Sequence, residues 1–167
     1  MRNEAVTETS VVHSTFVIEQ PLSAAPERVF RAFAEPDRKQ IWYAQGEKHS
    51  LQSYSLDFRV GGVERWLATF NAGTPFAGAA LESDTIYLDI VTNARIVMAQ
   101  DMRLRGYRFS VALITIELAP DGGGTRLHFT HQGAFFEGAD GPEIREEGWR
   151  KLLDKLAAEV EASVATH

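Results

Sequence analysis

"DGPEIREEGWRKLLDKLAAEVEASV" (Asp140–Val164) is the stretch on which the fold turns. Trp149, Leu152, Leu153, Leu156, Val160 and Val164 fall at offsets 0, 3, 4, 7, 11 and 15, a single apolar stripe at helical spacing. Asp140 and Glu143 stand at capping-box spacing, with Asp in the place more often held by Ser or Thr, and Pro142 suits a first turn. The spacing predicts one helix of about twenty residues. A helix with one apolar face must lie against something.

Its partner is upstream. From about residue 51 to residue 133 the apolar period is two. Tyr54, Leu56, Phe58 and Val60 alternate with Ser53, Ser55, Asp57 and Arg59, which predicts a strand with one wet face. Trp66, Ala68 and Phe70 supply the apolar side of the next strand. "SDTIYLDIV" (83–91), "ARIVMAQDM" (94–102), "YRFSVALITIEL" (107–118) and "GGGTRLHFTHQG" (122–133) follow as further strands. No long helical pattern interrupts them, so the connections are hairpins and the sheet is antiparallel. In "DFRVGGVERW" (57–66) no Lys follows Gly62 and no helix follows the glycines, which rules against a phosphate cradle. Gly61 and Gly62 are instead expected to form a two-residue turn joining two strands directly.

Ahead of the sheet, "HSTFVIEQPL" (13–22) is extended, "SAAPERVFRAFAEP" (23–36) gives a short helix, and "PDRKQIWYA" (36–44) gives a second one ending in Trp42 and Tyr43. Residues 1–12 are polar and expected to form a loose tail before a single domain at 13–167. The fold class is therefore α+β. A curved antiparallel sheet of about six to seven strands wraps the C-terminal helix, and two short helices after the first strand close one end. Such an arrangement leaves room for a cavity between helix and sheet.

Composition narrows the function classes. The chain has 167 residues and no cysteine, which removes disulfides, thiolate metal sites and cysteine nucleophiles. Its net charge of −6 disfavours nucleic acid as a partner. No apolar run has the length of a signal peptide core or a membrane span, so a soluble cytoplasmic protein is expected.

Candidate site residues follow from parity. Trp42, Tyr54, Phe58, Trp66, Phe70, Tyr87, Met98, Phe109, Phe129, Phe135, Trp149 and Leu153 are expected to face the cavity, as a set of rings and adaptable apolar groups suited to a ligand. Phe135 and Phe136 could also form a lid. His131 shares the parity of Leu127 and Phe129 and is expected on the inner face, as a polar anchor or general base. His128 and His131 point to opposite faces, so no metal site is expected. Glu64 shares parity with Trp66 and Phe70; placed inside it needs a cationic partner, and a position at the cavity rim is favoured. The face of Asp89 is ambiguous. No catalytic motif is present, and His131 and Glu64 are the two weak catalytic candidates.

Four stretches, "PLSAAPERVFRAFAEPDRKQIWYA", "DFRVGGVERW", "GGGTRLHFTHQGAFF" and "REEGWRKLLDKLAAEVE", in that element order resemble the START-like (SRPBCC) helix-grip superfamily. Within it they are similar to the family of activators of a heat-shock-protein ATPase, over about residues 14–164. The resemblance implies a deep hydrophobic pocket, and no cofactor is expected. Three functions remain open: a carrier of a small apolar or aromatic ligand, a cyclase- or hydrolase-like enzyme using a pocket acid or base, and a protein that contacts a chaperone or regulator. Exposed edge strands leave a homodimer open.

Overall fold

A computed structural model describes residues 10–165, with side chains through 162. The first nine residues of the expected tail and the side chain of Val164 lie outside the described residues, and β1 already begins at Val12.

The order is β1 (Val12–Leu22), α1 (Pro26–Ala34), α2 (Pro36–Lys39), a π-turn (Gln40–Ala44), six strands and α3 (Pro142–Ala165). The strands are β2 (His49–Leu56), β3 (Val63–Phe70), β4 (Ala80–Val91), β5 (Arg95–Leu104), β6 (Tyr107–Asp121) and β7 (Gly124–Phe135). They form one seven-stranded antiparallel sheet in the order β1-β7-β6-β5-β4-β3-β2. The last six strands are a meander of hairpins, and β1 returns to pair with β7. This is the helix-grip architecture that the alternating periods imply. α3 packs on β1, α1 and the π-turn, with Trp149, Leu153, Leu156 and Val160 buried against Phe16, Ile114, Ile116 and Phe129 from the sheet.

Pro26 opens α1, and the residue before Pro36 sits in extended geometry (Glu35, φ −90°, ψ 121°), which ends that helix. The following turn does not continue as an α-helix. Gln45 N–H reaches back five residues to the Gln40 carbonyl at 3.2 Å. The wide π-turn lets adjacent rings take separate tasks. Trp42 turns into the core and donates its indole N–H to the Ala32 carbonyl of α1 at 2.9 Å, whereas Tyr43 turns toward α3 and stacks on Trp149.

The glycine pair departs from expectation. β2 ends at Leu56, not Val60, and the connection is the six residues 57–62. Gly61 has φ +83° and donates its N–H to the Tyr87 carbonyl at 2.8 Å. At Gly62 a Cβ would stand 2.0 Å from the Asp57 carbonyl oxygen, so this position needs hydrogen instead of a methyl group. The loop closes on β4 rather than making the tightest hairpin, because that swings Phe58 edge-on against Phe30 and Tyr87. Val60 is left exposed.

Two bulges set the remaining faces. Tyr87 pairs with Met98 but Asp89 pairs with Val97, leaving Leu88 as the extra residue. Tyr87 and Ile90 therefore turn inward while Leu88 and Asp89 turn outward, where Asp89 accepts from Arg95 at 2.7 Å. Between β5 and β6 the unpaired residue is Phe109, which allows both Phe109 and Ser110 to be buried.

Candidate functional site

Two neighbouring features are built on the inner face of the sheet. The first is a buried ion pair. Lys39 Nζ donates to Glu64 Oε1 at 2.8 Å and to the Tyr87 hydroxyl at 3.1 Å. The Tyr87 hydroxyl donates to Glu64 Oε1 at 3.1 Å, and Tyr54 donates to Oε2 at 2.5 Å. Glu64 is 1% exposed, so the expected rim position is wrong. Its parity with Trp66 carries it inward, and the required cation arrives from α2. Burial pulls the Lys39 ammonium below its ordinary range, and the adjacent Glu64 carboxylate opposes that shift. Burial first, and then the Glu64 charge, push the Tyr54 and Tyr87 phenols up, so both stay protonated as donors. Lys39 Nζ also lies 4.6 Å from the centroid of the Tyr43 ring.

Tyr43 leads to the second feature, a cavity of about 390 Å³ whose walls include Tyr43, Trp66, Phe70, Met102, Trp149 and Leu152. α3 contributes its roof, and β3, β4 and β5 its floor. Gly148 lines it from the interior of α3, and a Cβ there would meet no atom within 4 Å. A glycine inside a helix costs about 1 kcal/mol relative to alanine. Here the glycine is exposed and borders the cavity. A smaller hollow of about 290 Å³ adjoins it, sharing Phe70, Leu81, Met102 and Arg145 and adding Phe76 and Phe109.

The polar groups of the cavity wall are few. Gln100 Nε2 donates to the Tyr43 hydroxyl at 2.7 Å. Ser83 is 2% exposed and faces the same phenol, but its Oγ makes no hydrogen bond of acceptable geometry. Arg145 is held by Asp140 through two contacts, at 2.8 and 2.9 Å, and gives a third bond to Ser110 Oγ at 2.8 Å. Its guanidinium lies over the Phe135 ring, 5.2 Å from the centroid. His49 stands edge-on to Trp66 with its Nε2 unpartnered, and burial lowers its pKa.

The expected site residues divide by position. Trp66, Phe70 and Trp149 line the cavity, and Phe109 lines the adjoining hollow. Tyr54 and Tyr87 instead serve Glu64. Trp42, Met98, Phe129 and Leu153 are packed in the main core, and Phe58 plugs its end. Phe135 is buried beside His131 and does not act as a lid over this cavity. His131 is inward as its parity predicts, but it is 0% exposed, stacked on Phe16 at 4.6 Å, and outside the cavity wall. Neither ring nitrogen has a partner, and burial, followed by the charge of Arg145, lowers its pKa to about 4. The two weak catalytic candidates, Glu64 and His131, therefore do not reach the cavity.

Lys39, Tyr43, Ser83, Gln100, Arg145 and Gly148 were not anticipated. Signals for most of them exist in the sequence. Lys39 lies three and four residues before Trp42 and Tyr43, hence on their helix face, and Gln100 and Ser83 have the parity of Met98 and Tyr87.

The outer face of the sheet carries a wider hollow of about 740 Å³. Its charged groups are already paired with one another, Arg103 with Asp84 at 3.2 Å and Arg108 with Asp101 at 2.9 Å. The same face exposes Ile86, Leu88, Val111 and Leu113. Among the described residues no group of three or more His, Asp or Glu is arranged to hold a metal ion, and no helix is long and apolar enough to cross a membrane.

A curved antiparallel sheet closed on a C-terminal helix, with a ring-lined cavity between them, defines a helix-grip domain. The chain belongs to the family described as activator of Hsp90 ATPase homolog 1-like proteins, whose profile matches residues 23–161. A solved structure from Rhizobium leguminosarum is 37% identical, with 93% of this chain and 99% of that one covered and a TM-score of 0.86. One from Rhizobium loti is 44% identical, with 90% and 99% covered and a TM-score of 0.78. An AHSA1-like protein from Aeromonas hydrophila, 21% identical with 90% and 94% covered and a TM-score of 0.68, shares the fold. No curated protein matches the chain.

Proposed function

We propose that this protein binds a small apolar or aromatic molecule in the cavity between α3 and the sheet. The observation that carries the reading is the cavity itself: about 390 Å³, walled by Tyr43, Trp66, Phe70 and Trp149, with an exposed helical glycine, Gly148, at its margin. Pockets of this size with ring-lined walls and a few polar groups suit small ligands. Binding, rather than acid–base chemistry, accords with the placement of Glu64 and His131 away from the cavity wall.

The test is titration with N-phenyl-1-naphthylamine, a neutral dye whose emission rises in apolar surroundings. Saturable one-site binding to the wild type, abolished by Gly148→Leu with the far-ultraviolet circular dichroism retained, is the expected result. Absence of saturable binding, or equal binding by a folded Gly148→Leu variant, would overturn the reading.

A further inference from the structure

Provided the binding reading above holds, the shape of the site restricts its occupant. The cavity of about 390 Å³ and the hollow of about 290 Å³ have five lining residues in common, Phe70, Leu81, Met102, Asp140 and Arg145, so they meet along one border. They also lie in line. Gln100, Met102 and Leu104 are successive residues on one face of β5, and they border the cavity, both spaces and the hollow respectively. At the rise of a strand, the distance from Gln100 to Leu104 is about 13 Å. Leu81 on β4 stands opposite Leu104 and continues the apolar floor.

The border suits an apolar chain. Phe70, Leu81 and Met102 bring no charge to it, and Arg145 is engaged by Asp140 through two hydrogen bonds and by Ser110 through a third. The guanidinium also lies over the Phe109 and Phe135 rings, 5.8 and 5.2 Å from their centroids. It is a fixed post whose charge is already neutralised. Exposure points the same way. Two large apolar side chains open to water stand on these walls, Ile144 (61% exposed) on the cavity and Phe76 (45%) on the hollow. A molecule confined to the cavity leaves Phe76 wet, whereas one that runs on into the hollow reaches both. We propose that the occupant is an elongated, chain-like apolar molecule that lies along β5 and fills both spaces, passing the Asp140–Arg145 pair.

Chain length is the test: 1-hexanol, 1-octanol and 1-decanol are compared by displacement of N-phenyl-1-naphthylamine at pH 7.5. The concentration needed is expected to fall about 2- to 4-fold for each added methylene through 1-decanol, as burial of that group provides. Leu104→Trp adds bulk to the hollow at a residue that does not line the cavity. There the gain from 1-hexanol to 1-decanol should shrink at least about 4-fold, as two methylenes left unburied predict. Ala139→Trp, which enters the same hollow from the loop before α3, repeats the measurement should Leu104→Trp fail to fold. A wild-type gain that stops at 1-hexanol, or an undiminished gain in a folded variant, would each overturn this inference while leaving dye binding, and the cavity reading, intact. If the dye itself fails to bind, both fall together.

Discussion

At the residue scale, two buried polar groups show how partners decide the consequence of burial. Glu64 is satisfied by Lys39, Tyr54 and Tyr87, so removing one member leaves a charge stranded. Lys39→Met and Glu64→Gln are each expected to cost about 3–5 kcal/mol. The double variant should cost less than the sum of the two, since it strands nothing. A double-mutant cycle in urea measures this, and strict additivity would show that the pair is not coupled. His131 is the opposite case, buried without a partner and with its pKa lowered to about 4. Its ordinary value is about 6.5, so the unfolded chain takes up the proton first as pH falls. The stability that neutral His131 permits is therefore complete above about pH 6.5 and lost progressively toward pH 4, on the order of 3 kcal/mol in all. Between pH 7.5 and 4.5 the wild type should lose more stability than His131→Phe, and equal losses would move the acid sensitivity elsewhere.

At the scale of elements, the loop between β2 and β3 and the π-turn do the positioning. Gly61 and Gly62 are adjacent but required for different reasons, a positive φ and a close backbone approach. Gly61→Ala should cost about 1–2 kcal/mol, the ordinary penalty for a left-handed non-glycine residue. Gly62→Ala should cost more, because its Cβ meets the Asp57 carbonyl oxygen 2.0 Å away, and that carbonyl is held by the hydrogen bond it accepts from the Arg59 N–H at 3.0 Å. Thermal unfolding of the two variants ranks them, and the reverse order would contradict this account of the loop. The π-turn separates Trp42, a core residue, from Tyr43, a cavity residue, within one step of sequence. An α-helical continuation there places consecutive residues about 100° apart with no extra residue, so it is the inserted one that frees Tyr43 to reach Gln100.

For the whole molecule, α3 is held by one face and free on the other. Trp149, Leu153, Leu156 and Val160 hold the helix to the core, while Gly148, one residue before this stripe, is exposed and its Cβ position meets no atom. Gly148→Ala should raise stability by about 0.5–1 kcal/mol through helix propensity alone, with no neighbour to clash against. Chemical denaturation checks it, and a loss of stability would mean that α3 needs glycine for packing.

The periods of the sequence, two through the middle and 3.6 at the end, already determined the antiparallel sheet, its inward faces, the gripping helix and the inward turn of His131. Those features depend on one element's own repeat, and water enforces that repeat regardless of what the element meets. Parity also placed Trp66 and Phe70 on the inner face, but it could not say which inward residues pack solid and which border empty space. That distinction, like the pairing of Lys39 with Glu64 across 25 positions of sequence, arises only when separate elements are brought together. Bulges at Leu88 and Phe109 and the wide turn at Gln40–Ala44 shift a single residue each, which is too little to disturb a periodic pattern and enough to redirect a side chain. The cavity is walled by residues of the π-turn, three strands and α3, and only the assembled chain brings those together.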